Sequence, residues 1–258
     1  MDFLKLIDHH RSIRKYKAKL VPEEILSKIL EASLRASSSG NMQTFSIIVT
    51  KNKTLKKRLY KLHFEQDMVL QAPLLLTFCS DFHRMRLWLK ESQAPDNFDN
   101  FMSFMIGAID AILASQNAAL SAENEGLGIC YLGTTLANCH KIGKVLNLPE
   151  NVVPVVGFTM GYPDEEPSLR DRLPLKGVVH YETYNNYAQE NIHEIYAERE
   201  KNGFERYMSV PHLREKILDS QVKNLAQIYT KIKYTKASHI KYSRTVLDCL
   251  KDQNFFNQ

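Results

Sequence analysis

Only four cysteines occur in 258 residues, Cys79, Cys130, Cys139 and Cys249, and no two of them make a C-x-x-C pair. A dense disulfide framework and a zinc site both need cysteines at short, regular spacing, so neither is expected. Cys139 and His140 are adjacent, yet no two further ligands stand at the usual spacings, and no metal is expected there. Thiols so distributed fit a reducing cytoplasm. The opening MDFLKLIDHH mixes charges into a short amphipathic pattern in place of a basic-then-apolar leader, so export is not expected. Also missing are G-x-G-x-x-G and G-x-x-x-x-G-K, which removes support for the usual dinucleotide and NTP folds. Internal repeats and low-complexity segments are absent. Charge of one sign is scarcely in excess: 34 basic residues against 29 acidic leave +5, enough to attract small anions without implying nucleic acid.

What is present is a chain with 44% hydrophobic residues, able to bury one large domain with an appendage. Pro22 followed by Glu23 and Glu24 marks a helix start, and Ile25, Ile29, Leu30 and Leu34 form its apolar stripe. RASSSGN ends it, because serine and asparagine side chains compete for backbone hydrogen bonds. FSIIVT reads as a strand, KTLKKRLYKLH as a basic helix, and APLLLTFCS as a buried strand. From NFMSFMIGAIDAILASQNAALSAEN to Gly126 and Gly128 the chain predicts one apolar helix of about 23 residues. Asp110, Gln116, Asn117 and Glu123 interrupt it, which favours a core or subunit-interface helix over a membrane span. Being apolar on most sides it must be covered on most sides, so a dimer is expected. GICYLGT then reads as a strand entering a turn, NCHKIGKVLNLP as a short helix and VVPVVGFTMGYP as a strand. The class is α+β, with a core over 1–185 and a polar, helical C-terminal extension over 186–258 that belongs to the same domain.

Two stretches concentrate donors. HHRSIRKYK, residues 9–17, places His10, Ser12 and Arg14 at every second position, so an extended chain would turn all three to one side. Forked guanidinium and ring N–H donors beside a hydroxyl suit phosphate oxygens, although a solvated basic segment has the same composition. PSLRDRLP repeats the spacing with Arg170 and Arg172. Both pairs could close on one anion.

As an ordered set, HRSIR, the serine-rich turn, the G-x-x-Y-x-G around Tyr131, and GYP followed by R-x-R-L-P resemble the FMN-dependent nitroreductase family, in particular its NADPH-preferring branch of oxygen-insensitive nitroreductases and flavin reductases. The strongest matches lie at residues 9–48, 103–135 and 154–175. The resemblance implies a mixed sheet flanked by helices, a homodimer that swaps terminal segments, and FMN at the interface. It assigns His10 and Ser12 to the phosphate and ribityl side, and Arg11 to the same cradle. Arg14 goes to the pyrimidine edge, and Arg170 and Arg172 to the phosphate. Ser38, Ser39 and Gln66 would hydrogen-bond the ring or ribityl, and Tyr131, Leu132, Gly133 and Thr134 would form the turn beside the ring. Ser38 and Ser39 serve equally as a helix stop, and Tyr131 as a packing residue. Departures are Thr134 and Arg170, where close relatives carry glycine and lysine, and Gly40 where they carry a serine.

A cation beside the flavin edge stabilises the charge left by an arriving hydride. Implied is ping-pong transfer of two electrons from NADPH or NADH to nitroaromatics, quinones or flavins, with no side-chain nucleophile. Arg199, Lys201 and Arg206 are candidates for the NADPH 2′-phosphate, and a solvated helix face explains them as well. No membrane or nucleic-acid partner is expected. Two alternatives compete: an FMN carrier or sensor without turnover, and a nucleic-acid binder using YTKIKYTKASHIKYSR, where Lys and Arg interleave with Tyr.

Overall fold

The structure, a computed structural model, describes residues 2–257. The described chain forms two compact units, one running up to Ser168 and resuming at Tyr242, the other Leu169–Lys241. The sequence division at 185/186 falls inside the second unit.

In the first unit, α1 (Phe3–Asp8) is capped by the Asp2 carboxylate, and α2 (Glu23–Leu34) starts behind Pro22 with two acids in its first turn and buries Leu26, Ile29 and Ser33. After the serine turn come β1 (Phe45–Thr50), α3 (Lys53–Leu62), α4 (Met68–Gln71), β2 (Leu74–Asp81) and α5 (His83–Glu91). They are followed by α6 (Phe101–Asn124), β3 (Gly128–Tyr131), α7 (Thr134–Ala137), α8 (Cys139–Val145) and β4 (Val152–Gly161). The predicted strands and long helix are all there. The short helices α4, α5 and α7 were not anticipated, while the helix read over NCHKIGKVLNLP is α8, starting just after Asn138.

The sheet order is β1-β2-β4-β3, antiparallel throughout. Every residue of β2 is buried, as its unbroken apolar run predicts. Pro154 lies in the central strand β4, where a missing N–H would leave a gap in the ladder; the register shift between Phe78 and Cys79 falls opposite it and absorbs the defect. The parallel component comes from the N-terminal segment: Ser12 bridges Ile129 in parallel, and Ile13 N–H donates to the Ile129 carbonyl at 2.8 Å.

Helix α6 crosses this sheet. Its inner face is made of small residues, Gly107, Ala108, Ala111, Ala114, Ala118 and Ala122, all buried, which lets the helix approach the strands closely. Its outer face is apolar and open in the single chain, with Ile109 and Ile112 each about half exposed (52% and 50%). By length and composition alone α6 could cross a membrane, but its inner half is packed in the protein core with Phe78, Phe158 and Ile129. Residues after Tyr242 return to this core, burying Cys249, Leu250 and Phe255.

The second unit holds α9 (Gln189–Met208), α10 (Pro211–Asp219), α11 (Leu225–Gln227), a π-helical turn Ile228–Lys233 and the start of α12 (Lys236–Asp252) around a small core of Ile217, Val222 and Ile228. The helical reading of the tail holds.

A Cβ added at Gly107 would lie 2.9 Å from the Thr44 backbone carbonyl and would collide with Ser80 Oγ. Gly107→Ala should therefore cost about 2 kcal/mol through overpacking. The expected drop in melting temperature is about 5 °C, measured by calorimetry.

Candidate functional site

The residues that interrupt the apolar run of α6 organise the site. Asp110 is 1% exposed, and its carboxylate accepts from Ser38 Oγ (2.7 Å), Ser39 N (3.1 Å), Thr44 N (3.1 Å) and Thr44 Oγ1 (3.0 Å). Four donors on one buried carboxylate fix the serine turn, and Gly40 at φ +56° lets the backbone double back there, which a serine would do less readily. Further along the helix, Ser115 Oγ lies 3.1 Å from the Tyr131 hydroxyl, which also donates to Gln116 at 3.4 Å. At the far end Glu123 Oε1 lies 2.6 Å from His10 Nδ1. One helix thus holds three segments in place over roughly 20 Å, at 1.5 Å per residue.

The alternation in HHRSIRKYK is present. His9, Arg11 and Ile13 line a cavity of about 390 Å³ with Glu123, Gly128 and Glu165, a lining that His10, Ser12 and Arg14 do not share. Arg11 is therefore not brought together with those three; its guanidinium pairs with Glu166 at 2.8 Å. The Glu165 carboxylate accepts from the backbone N–H groups of Arg14 (2.5 Å) and Lys15 (3.1 Å), while the exposed Arg14 side chain bonds the Ser12 carbonyl at 3.3 Å.

The bridge from Ser12 to Ile129 lays this segment along β3, which leads directly into the turn Tyr131–Thr134. Leu132 is buried and its N–H donates to the Gly157 carbonyl at 2.8 Å, anchoring the turn. A Cβ at Gly133 would meet nothing within 4 Å, so the turn opens onto free space. Tyr131 sets its ring edge-on to Phe158, 5.3 Å between centroids, so it packs as well as bonding. Thr134 Oγ1 lies 2.8 Å from Nδ1 of His63, and Gln66 Nε2 donates to the His63 carbonyl at 2.9 Å.

In the second unit Asp171 stands between the two arginines of RDR. Its side chain takes Arg199 at 3.0 Å and Arg206 at 3.9 Å, and Arg199 also donates to the Tyr229 hydroxyl at 2.9 Å. Burial alone would raise the Asp171 carboxyl, but the hydrogen bond and charge of Arg199, aided by Arg206, hold it below the ordinary range. Arg172 donates to the carbonyls of Arg170 (3.1 Å) and Asp171 (3.2 Å), and Lys201 is exposed.

A family model described as the nitroreductase family matches residues 7–162, more than half of the chain. The chain belongs to the nitroreductase family. Among its relatives, an FMN reductase [NAD(P)H] of Bacillus subtilis is 34% identical over 194 residues, covering 74% of this chain and 78% of the relative. A solved structure from Bacteroides fragilis is 39% identical and covers 98% of this chain and all of its own, with a TM-score of 0.90. An NADPH:FMN oxidoreductase from Vibrio harveyi complexed with NAD+ is 26% identical over the full length of both chains, with a TM-score of 0.79.

In this nitroreductase the sequence reading missed Asp110, Glu123 and His63 as site builders. The first two carried a signal, being charged residues in an otherwise apolar helix; His63 carried none, since a histidine at a helix end has no pattern of its own. His63 is 1% exposed, and burial pushes its imidazole down to about 4.

Two outcomes are expected. Asp110→Ala strands four donors and should lower unfolding free energy by about 3 kcal/mol or more, read by urea titration. Because the folded value of His63 lies below the unfolded one, the unfolded chain binds the proton first as pH falls. The contribution of His63 is then complete above about pH 6.5 and lost toward pH 4. Wild type should lose on the order of 2 kcal/mol between pH 7.5 and 5 from this residue. His63→Gln should show that much less pH dependence.

Proposed function

We propose that this chain is an FMN-dependent NAD(P)H oxidoreductase that delivers two electrons to small flat acceptors such as nitroaromatics, quinones or flavins. The family and the activities named for its relatives support the oxidoreductase class and the FMN and NADPH cofactors. The observation that supports the site is the parallel bridge of Ser12 to Ile129, which lays the segment 10–14 along β3, the strand that leads into the open turn at Gly133.

The residues fit a flavin nucleotide. Its ring needs a flat opening, its phosphate needs cations, and its pyrimidine edge needs a positive neighbour when reduced. Gly133 leaves space where a side chain would intrude, and Arg14 is exposed with its backbone fixed by Glu165. FMN, when bound, accepts and donates the hydride, and the protein contributes position and electrostatics. Arg14 would stabilise negative charge at the pyrimidine edge. His10, its ring oriented by Glu123, and the Ser12 hydroxyl would hold the phosphate and ribityl chain. The family resemblance assigns Arg170 and Arg172 to the phosphate as well. Ser38, Ser39, Gln66 and the 131–134 backbone would border the ring. Arg11, paired with Glu166 in this chain, is assigned to the same cradle by the family resemblance. NADPH and the acceptor would use the same opening in turn, which is ping-pong order. Arg199, Lys201 and Arg206 would meet the 2′-phosphate; Asp171 already offsets one of their three charges.

The open apolar face of α6 supports a homodimer, with terminal segments exchanged between chains. The reducing cytoplasm is the proposed location, consistent with four free, buried thiols.

The purified protein should be yellow, and anaerobic NADPH should bleach the flavin band within seconds; a colourless protein that takes up no FMN would sink the proposal. Arg14→Ala should weaken FMN affinity about tenfold, the loss of one charge-assisted contact. Light scattering should give twice 29.8 kDa, and Ile112→Glu should shift the mass toward 29.8 kDa.

A further inference from the structure

The turn between α3 and α4 is strained. Phe64 and Glu65 are consecutive non-glycine residues in the left-handed region, at φ +57° and +54°. Such backbone persists only where its surroundings over-determine it. Those surroundings converge on His63: its carbonyl takes Gln66 Nε2, the neighbouring Leu62 carbonyl takes Asn138 Nδ2 at 2.6 Å, and its ring reaches Thr134. The ring is buried with Nε2 unpartnered, so the Nδ1–Thr134 hydrogen bond at 2.8 Å is its polar tether. A leucine would fill this space without a dry nitrogen. The polar ring therefore costs stability as a filler, and what it adds is a directional link between two turns.

We propose that His63 is a positioning residue that locks the 63–66 turn to the 131–134 turn, so that Gln66 and Thr134 are presented in one fixed arrangement to the flavin ring. This rests on the site reading above. The flavin contacts are those of Gln66 and Thr134; His63 acts through them.

The test uses the full chain, stripped of flavin and then reloaded, as wild type, Thr134→Val, Thr134→Ser and His63→Gln. Thr134→Val keeps the shape and removes the hydroxyl, while Thr134→Ser keeps the hydroxyl. In the flavin-free protein, amide exchange across 62–67 should rise about tenfold in Thr134→Val and His63→Gln and stay at the wild-type rate in Thr134→Ser. On titration with FMN, the first two should bind three- to tenfold more weakly and show a shifted visible flavin band, with Thr134→Ser within twofold of wild type. Unchanged exchange in a folded Thr134→Val would overturn the link itself. Raised exchange with unaltered FMN affinity and spectrum would overturn the positioning role. If wild type takes up no FMN, the site reading falls and the role with it, while the exchange arm still reports whether the two turns are linked.

Discussion

A carboxylate taken out of water must find donors enough to replace its hydration, and Asp110 finds four within 3.1 Å. Much of the first unit follows from that demand. The carboxylate sits midway along α6, so the serine turn and the start of β1 must come to the helix. Once they do, the helix is pinned over the sheet and its later polar residues face the N-terminal segment and Tyr131. The hydrogen bonds are local, but the rigid helix carries their geometry across the domain.

The same helix divides its two faces by side-chain size. Alanines and Gly107 face the sheet, where small volume permits close approach, and Ile109, Ile112 and Leu113 face outward. Hydrophobic periodicity does not separate such faces, because alanine and isoleucine both count as apolar. Size separates them, and size is what decides which face can pack on strands and which is left for a larger partner surface.

Much of the fold could be read along the chain because it is written in local patterns: the Pro-Glu-Glu start of α2, the β-branched run of β1, the unbroken apolar β2. The α5 helix was not anticipated, and it buries none of its residues. The strand through Pro154 was legible, but its central place in the sheet, with Pro154 paired to Cys79 at a bulge, was not. The departure at Gly40 was visible in the sequence, but its reason, a left-handed turn above Asp110, was not.

From the sequence alone came the alternation in HHRSIRKYK, the spacing of RDR and the family, because these are properties of neighbouring residues and of motif order. Tertiary structure decided which side of that alternation lines the cavity with Glu123 and Glu165. It turned Arg11 toward Glu166, gave Asp171 to Arg199 and Arg206, and tied His63 to Thr134 across 71 residues. Contacts between distant residues are made only after the elements that carry them have packed together, and no local propensity encodes that meeting.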